Sequence, residues 1–335
     1  MAANTFLRRW TLRLTVAYFL LIPLSVAWYW LDTEDRAFTS LFLYSPRWLL
    51  VLPLIALVAL AILARSRWAF GIGLITGIGI LGPLMGGRIG ISTWPEPPPA
   101  YARYRVMTWN AGNAGSSGSI NAFRSLQDES QPDIIVLQEC PSEVRESDFP
   151  NGWTVMSGGH GLRVASRFRG RHEETLGGTS LVLPGSAGRY IIETPDGLIT
   201  IYNLHLPTPR PGIEAAMQSK FLKFGELKTV LELQAKSSKT VREWIRDPQG
   251  LFLIAGDFNL PVESRLYRRD WGGFQNAFSE VGCGWGGTKT TKWHSVRIDH
   301  ILSGSSFHIR RCFVGPDLGS DHRPLIADMT LEEGQ

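Results

Sequence analysis

Residues 251–259 read LFLIAGDFN, an apolar run that stops at two polar side chains, Asp257 and Asn259. A short apolar run bounded by residues typical of turns predicts a buried β-strand. The carboxyl and amide groups then stand at the carboxyl end of that strand. In layered α/β domains, ligands bind where the carboxyl ends of strands meet. This stretch therefore predicts both a buried strand and a site at its end.

The same arrangement recurs along the C-terminal part of the chain. Strands are predicted within 103–113, 133–139, 199–206, 251–259, 297–302 and 324–330. Polar side chains stand at or near the ends of these runs, namely Asn110, Glu139, His205, Asp257, Asn259, Asp299, Asp321 and His322. Apolar residues at helical spacing predict helices over 119–131 and 213–246. The alternation predicts an α/β or α+β sandwich with these side chains on one rim.

The residue types on this rim indicate a particular chemistry. Loops that bring carboxylate, amide and imidazole groups together predict a metal-assisted phosphoryl-transfer site, because oxygen ligands suit the hard cations Mg²⁺ and Mn²⁺. The three cysteines, Cys140, Cys283 and Cys312, do not show the spacing of a zinc site. Cys283 and Cys312 could pair in an oxidising compartment, and two buried free thiols are the equal alternative.

Six motifs follow one another in a characteristic order. They are TWNAGN (108–113), LQE (137–139), NLHLP (203–207), GDFN (256–259), RIDHIL (297–302) and GSDHRPL (319–325). This order resembles the endonuclease/exonuclease/phosphatase superfamily, which includes deoxyribonuclease I-like nucleases, abasic-site endonucleases, neutral sphingomyelinases and inositol-polyphosphate 5-phosphatases. The resemblance covers about 103–331. It implies a four-layer α/β (α+β) sandwich with two central mixed β-sheets flanked by helices.

The resemblance also implies a metal site. Glu139 and Asp321 resemble the family's metal-binding carboxylates. Asn110 resembles the asparagine that orients the metal and the base. The expected cofactor is Mg²⁺ or Mn²⁺, held by these three residues.

The remaining polar residues resemble the family's catalytic groups. Asp257 resembles the aspartate that positions or deprotonates the attacking water, and Asn259 the amide that holds the water and the phosphate. His205 resembles a histidine that contacts the scissile phosphate. His322 resembles the second histidine, and Asp299 the carboxylate that holds it. Such a pair favours the imidazolium, which donates to charge building on phosphorus.

The first hundred residues differ in composition from the rest. Three apolar runs predict transmembrane helices at about 11–31, 49–66 and 69–88, within a membrane segment over 1–91. At 1.5 Å per residue, the first run is about 31 Å long, which matches the hydrocarbon core of a bilayer. A buried set of core helices is the less favoured alternative, because the runs lack an amphipathic period.

Basic residues predict how these helices are oriented. Arginines stand before or at the start of the first run and between the second and third runs, at Arg8, Arg9, Arg13, Arg65 and Arg67. Because loops rich in arginine stay in the cytoplasm, three crossings would place the later residues on the non-cytoplasmic side. Closely spaced spans with tight loops fit a multi-pass protein of the bacterial inner membrane, with its catalytic domain periplasmic or extracellular.

A proline-rich stretch, 92–102, predicts a semi-rigid linker ahead of a catalytic domain over 103–331. The formal net charge of the chain is +4. Residues 1–100 contain eight Lys and Arg against four Asp and Glu, and the remaining residues contain 26 of each. The positive excess therefore belongs to the membrane segment. A neutral catalytic domain argues against nonspecific binding of nucleic acid.

The expected function is that of a metal-dependent phosphodiesterase or nuclease tethered to a membrane. Its expected partners are a phosphoester substrate, either nucleic acid or a lipid head group, and the lipid bilayer. A protein partner is not predictable from the sequence. A sphingomyelinase-like phosphodiesterase or phosphatase acting on lipid head groups is the alternative, favoured by the short tether. An inactive membrane scaffold would be expected to lose site residues, yet every principal position is occupied.

Overall fold

The computed structural model describes residues 2–31, 37–90, 103–177, 186–219 and 224–331. It divides into two compact units, one comprising Met1–Gly87 with Glu263–Arg265 and the other Arg88–Val262 with Leu266–Gln335. The predicted linker, 92–102, lies outside the described residues. The described cysteines are all free thiols, so the disulfide alternative is not formed.

The first unit is helical. Its helices are α1 (Ala2–Leu31), α2 (Ala37–Leu43), α3 (Val51–Leu63) and α4 (Arg67–Gly79). A π-helical turn, Ile80–Leu84, follows α4 and contains Pro83. Because proline lacks a backbone N–H, it removes a regular helical hydrogen bond, which accounts for the wider turn. Helix α1 packs against both α3 and α4.

Two helical stretches of the described chain are long and apolar enough to cross a bilayer, Asn4–Trp28 and Arg67–Leu84. They overlap the first and third predicted runs. The apolar helix between them, Arg47–Leu63, is shorter than this criterion requires. Large apolar side chains on these helices, including Ile78, are exposed, which is consistent with membrane association.

The remaining strands and helices belong mainly to the second unit. Its strands are β1 (Tyr104–Asn110), β2 (Ile134–Gln138), β3 (Thr154–Gly159), β4 (Leu162–Ser166), β5 (Arg169–Gly177), β6 (Ser186–Thr194), β7 (Gly197–His205), β8 (Leu251–Asp257), β9 (Gln275–Asn276), β10 (Lys289–Thr290), β11 (Ser295–Val296), β12 (Asp299–Ser303), β13 (Phe307–Val314) and β14 (Leu325–Leu331). Its helices are α5 (Ser117–Ser130), α6 (Arg210–Gln218), α7 (Gly225–Ile245), α8 (Arg265–Trp271) and α9 (Ala277–Val281).

Within the described residues, the strands form two six-stranded sheets and one two-stranded hairpin. The first sheet has the order β13–β14–β1–β2–β4–β3, and the second has the order β5–β6–β7–β8–β12–β9. Strands β1 and β2 are parallel in the first sheet, as are β7 and β8 in the second. The other neighbours are antiparallel, so both sheets are mixed.

Alternate side chains of the central strands point to opposite faces of each sheet. Val106 of β1 and Leu253 of β8 belong to one buried core that joins the two sheets. Their neighbours Met107 and Phe252 belong instead to separate outer cores. Phe123 of α5 closes the outer core of the first sheet, and α7 and α8 close that of the second. This order of layers confirms the predicted sandwich with two central mixed β-sheets.

The helix predicted over 213–246 is divided in two. Helix α6 ends at Gln218 and α7 begins at Gly225, while residues 220–223 lie outside the described chain. Apolar spacing alone does not show where one helix ends, because the spacing continues through Phe221 and Phe224. The prediction of a single long helix was therefore wrong.

The register of the two parallel pairs places their carboxyl ends beside polar residues. Asn110 pairs with Gln138 at the end of β1 and β2. His205 pairs with Asp257 at the end of β7 and β8. Asp299, the first residue of β12, pairs with Asp257 from the other side. Two strand pairs, one from each sheet, thus deliver their last side chains to the site.

Candidate active site

Four side chains from the two strand pairs lie in contact. The amide Nδ2 of Asn110 donates to Oε1 of Glu139 at 2.9 Å and to Oδ2 of Asp257 at 3.0 Å. The Nε2 atom of His205 lies 3.3 Å from Oε1 of Glu139 and 4.0 Å from Oδ2 of Asp257. A single amide therefore links a carboxylate from the first sheet with a carboxylate from the second.

Asn110 is oriented by its own loop. Its Oδ1 accepts a hydrogen bond from the backbone N–H of Gly112 at 3.0 Å, which turns the amide nitrogen toward the two carboxylates. An amide nitrogen is not a ligand for a hard cation. Direct coordination by Asn110 would require its amide to turn over, so its metal role stays a prediction. In this arrangement Asn110 holds Glu139 and Asp257 side by side.

Glu139 is held in an unusual backbone conformation. Its φ of 46° lies in the left-handed region, which is uncommon for a residue other than glycine and is found at functional sites. Gly112 packs against its carboxylate, since a Cβ at that position would lie 2.6 Å from Oε2. The side chain of Glu139 remains 48% exposed, so it is the most accessible carboxylate of this cluster.

Asp257 is the buried centre of the site. It is 1% exposed, and its Oδ1 accepts from the backbone N–H of Asn259 at 2.8 Å. Burial raises the pKa of Asp257, and the charge of Asp299 raises that pKa further. His322, His205 and Asn110 act in the opposite direction. A buried carboxyl group with a raised pKa is suited to accept a proton.

Asn259 supports Asp257 from the turn that follows β8. Its φ of 49° is left-handed, a conformation that asparagine tolerates better than most residues. Its Nδ2 donates to the backbone oxygen of Leu206 at 2.8 Å and to Oδ2 of Asp257 at 3.2 Å. The Asp-x-Asn spacing thus lets one side chain anchor the other.

His322 is held by Asp299. The Nδ1 atom of His322 lies 2.8 Å from Oδ2 of Asp299, and Nε2 lies 3.6 Å from Oδ2 of Asp257. Burial by itself lowers the pKa of His322, but the charges of Asp299 and Asp257 outweigh burial and raise the pKa to about 9. His322 is therefore an imidazolium near neutral pH, with Nε2 directed at the centre of the site.

Asp321 occupies a different position from the other predicted ligands. Its carboxylate forms an ion pair with the ammonium of Lys289, and Arg210 Nη1 lies 3.8 Å from its Oδ2. Its Oδ1 is 3.9 Å from Nε2 of His322. Among the described side chains, neither group suited to a metal ion includes Asp321. The assignment of Asp321 as a ligand stays a prediction.

The residues near the site include several that the motifs did not single out. Gln138 and Asn203 form a buried amide pair between the two sheets, with Gln138 Nε2 donating to Asn203 Oδ1 at 2.8 Å. The hydroxyl of Thr288 accepts from the backbone N–H of Asp299 at 3.1 Å. Lys289 binds Asp321, as described above. The sequence feature that could have indicated the Gln138–Asn203 pair is a polar residue inside an otherwise apolar strand.

Two groups of side chains have the donor atoms for a metal ion. Ligand atoms lie within 4.8 Å of one another in Glu139, His205 and Asp257, and also in Asp257, Asp299 and His322. In the second group, Asp299 and His322 already bind each other. The first group is more open, and it places two carboxylates side by side. A divalent cation would relieve their mutual repulsion, so these residues fit such a cofactor.

Solved structures with the same fold include TDP2 of D. rerio, humanized by 14 mutations, with a TM-score of 0.51 and 16% identity; the match covers 68% of this chain and 98% of that chain. The endonuclease/exonuclease/phosphatase of Beutenbergia cavernae DSM 12333 matches with a TM-score of 0.46 and 17% identity, over 68% of this chain and 71% of that chain. The AP endonuclease LMAP of Leishmania major matches with a TM-score of 0.48 and 14% identity, over 74% of this chain and 93% of that chain. At 16% identity the likeness to TDP2 concerns the fold alone.

No curated protein shows significant similarity to the chain. The model of the Endonuclease/Exonuclease/phosphatase family matches residues 107–322, which is more than half of the chain. This match begins in β1, ends at His322 and confirms the resemblance carried by the motifs. The chain therefore belongs to the endonuclease/exonuclease/phosphatase family, whose enzymes hydrolyse phosphoester bonds and generally use divalent metals.

Proposed function

We propose that this chain is a membrane-tethered, divalent-metal-dependent phosphodiesterase. The observation that carries the proposal is the position of the Asp257 carboxylate. It is buried, receives hydrogen bonds from both sheets and lies within 4.0 Å of His205 and His322. Burying a carboxylate beside another acidic group opposes folding, and a reaction centre is a reason to retain it.

Asp257 is the proposed acceptor of the proton from an attacking water. Its raised pKa makes it a stronger base than an exposed aspartate. Asn259 and Asn110 fix the carboxylate by hydrogen bonds, so the water would meet a fixed acceptor. General base catalysis of this kind contributes about 10²–10⁴ in rate.

His322 is the proposed donor to the charge that develops on the phosphoryl oxygens. Asp299 binds its Nδ1, which leaves the Nε2 hydrogen for the substrate. His205 supplies a second donor, with its Nε2 4.0 Å from Oδ2 of Asp257. Removing one such donor from a preorganised site costs about 10²–10³ in rate.

Glu139 is the residue proposed to hold the cation, within the open group that it forms with His205 and Asp257. A divalent ion there supplies positive charge for the phosphoryl and leaving oxygens. Mg²⁺ and Mn²⁺ suit a site that is rich in carboxylate oxygens. Asn110 would keep the two carboxylates in place before the ion binds.

The membrane tether is part of the proposal. Helix α1 and the stretch Arg67–Leu84 have the length and composition of membrane spans, and the arginines in the first half of α1 support a cytoplasmic N-terminus. With the second apolar helix as a further span, the catalytic residues lie on the non-cytoplasmic side. We place the protein in a bacterial inner membrane with a periplasmic or extracellular site.

The test uses the full chain purified in detergent and supplied with plasmid DNA, RNA, sphingomyelin, phosphatidylinositol phosphates and bis(para-nitrophenyl) phosphate. Each substrate is incubated with Mg²⁺, with Mn²⁺ and with EDTA. We expect hydrolysis of at least one diester that EDTA abolishes. No hydrolysis of any of them by a folded, metal-loaded chain would contradict the proposal and favour an inactive membrane scaffold.

A further inference from the structure

The hairpin formed by β10 and β11 carries a tip over residues 291–294, in which Thr291, Lys292 and Trp293 are exposed. Backbone pairing joins Lys289 to Val296 and Thr290 to Ser295. Thr291 closes the turn, because its N–H donates to the backbone oxygen of His294 at 2.8 Å and its hydroxyl accepts from the N–H of His294 at 3.2 Å. The tip therefore has a defined conformation.

The hairpin is attached directly to the catalytic edge. Lys289 forms a β-bridge with His322. The N–H of Thr290 donates to the backbone oxygen of Asp321 at 2.7 Å, and the N–H of Arg323 donates to that of Thr288 at 2.7 Å. Trp293 follows Lys289 by four residues, which is at most about 14 Å of extended chain. A surface that binds the tip is thus held close to His322.

The side chains of the tip suit a lipid–water interface. Trp293 is 70% exposed, which is unusual for so large an aromatic side chain. The ammonium of Lys292 lies 5.4 Å from the centre of the indole ring. An indole settles at the depth of the lipid head groups, and a lysine beside it can bind the lipid phosphates.

The bilayer fits this tip better than nucleic acid does. Residues 101–335 contain equal numbers of acidic and basic side chains, whereas nonspecific binding to nucleic acid depends on a basic surface. The described part of the same chain carries two helices long and apolar enough to cross a bilayer, which brings a membrane into its surroundings. One indole and one lysine are enough to orient a domain that a tether already holds near the surface.

We propose that the tip Thr291–His294 inserts into the surface of the bilayer and presents the active site to phosphoesters of lipid head groups. The inference rests on the proposed function, because it names the substrate class of the same site. The observation that carries the inference is that the exposed Trp293 indole lies on the hairpin whose strand β10 forms a β-bridge with His322.

The first test measures contact rather than activity. The full chain is reconstituted in nanodiscs of phosphatidylcholine and phosphatidylglycerol in equal parts, with a trace of a photoactivatable phospholipid. Trypsin cleaves after Lys292 and Arg297, so cross-linked lipid should appear on the peptide Trp293–Arg297 in addition to the apolar helices. Cross-links confined to the apolar helices would overturn the inference, whether or not the chain hydrolyses any diester.

The second test compares Trp293→Ala with Leu198→Ala. Leu198 is 57% exposed and lies at the opposite end of β7 from His205, which makes it a matched control. Losing the indole that inserts into the bilayer should lower turnover of a bilayer-embedded phospholipid diester about tenfold, because transfer of an aromatic side chain out of water strengthens binding by about that factor or more. Turnover of soluble bis(para-nitrophenyl) phosphate should stay within about twofold.

The outcomes of the second test separate the two proposals. Equal turnover of the bilayer substrate by wild type and Trp293→Ala would overturn the inference and leave the phosphodiesterase intact. A loss of oligonucleotide binding in Trp293→Ala, without loss on the bilayer substrate, would assign the tip to nucleic acid instead. Absence of all diester hydrolysis in wild type would remove the proposed function, and the cross-linking would still decide the contact.

Discussion

The Nδ1 atom of His322 lies 2.8 Å from Oδ2 of Asp299, and both side chains are buried. This pair fixes the imidazole ring and aims its Nε2 at Asp257. Thr288 holds the backbone of Asp299 through its hydroxyl, so the ring is positioned by a chain of contacts from the hairpin segment. The orientation of His322 is therefore set before a substrate binds.

The stability of the chain should depend on the charge of His322. Its pKa is raised to about 9 in the folded chain, above the ordinary value of about 6.5. The stabilisation is present in full below about pH 6.5 and is lost as the pH rises through about 9, with a total of about 3 kcal/mol. The thermal midpoint of wild type should therefore exceed that of His322→Gln by more at about pH 6 than at about pH 10. These two pH values lie below the ordinary pKa and above the raised pKa of His322.

Asp299→Asn tests the source of that raised pKa. The substitution keeps the size of the side chain but removes the charge that favours the imidazolium. The alkaline limb of the pH–rate profile should move to lower pH, and kcat should fall by about 10²–10⁴. Glu243→Gln, at an exposed position on α7, is the control and should leave both unchanged. An unmoved alkaline limb in Asp299→Asn would mean that His322 does not set it.

The sequence predicts the strands that end in the site better than those at the sheet edges. Strands β1, β2, β7, β8 and β12 have buried residues throughout most of their length, so they stand out as apolar runs. The edge strand β5 reads RGRHEETLG and contains no fully buried residue, so it has no apolar pattern to recognise. Edge strands are half solvated, and their hydrogen bonding depends on neighbours distant in sequence.

The contacts within the site are less predictable than its residue types. Strand ends predict that Glu139 and Asp257 come together, because both follow central strands. The amide that joins them and the ion pair of Lys289 with Asp321 depend on side-chain directions and on the hairpin, which residue spacing does not encode. For the same reason the sequence predicts Glu139 and Asp321 alike as metal ligands. In the structure Glu139 belongs to one of the two groups suited to a metal ion, and Asp321 belongs to neither.

Glu139 and Asp321 should differ in their effect on cation binding. Glu139 belongs to the open ligand group, whereas Asp321 is neutralised by Lys289. Glu139→Gln should weaken Mn²⁺ binding by at least about tenfold, and Asp321→Asn by less than about threefold. Calorimetric titration of the full chain measures both. The reverse order would assign the cation to Asp321 and away from the open group.

The Gln138–Asn203 pair should contribute to stability as well as to the position of the site. Asn203 Nδ2 donates to the backbone oxygen of Leu137 at 2.9 Å, beside the amide pair. Asn203→Leu leaves buried polar groups without partners, at a cost of about 1–3 kcal/mol for each. The thermal midpoint should fall clearly, whereas exposed Leu198→Ala on the same strand should leave it nearly unchanged. An unchanged midpoint in Asn203→Leu would show that the pair is dispensable.

Gly256 should not tolerate a side chain. Its φ of 145° is unfavourable for other residues, and an added Cβ would lie 2.0 Å from the backbone oxygen of Leu204. Gly256→Ala should destabilise the chain by at least about 3 kcal/mol, because β7 and β8 cannot stay paired at that point. Gly273→Ala is the control, since a Cβ there meets no atom within 4 Å. Similar thermal midpoints for the two variants would refute the predicted clash.

The most direct measurement of the central claim is diester hydrolysis by Asp257→Asn. The substitution retains the shape of the buried side chain and removes the group proposed to accept the proton. With Mn²⁺ present and a thermal midpoint close to that of wild type, the account predicts a loss of at least about 10²-fold in kcat. Hydrolysis at the wild-type rate by this variant would contradict the account, because the reaction would then not depend on the carboxylate at its centre.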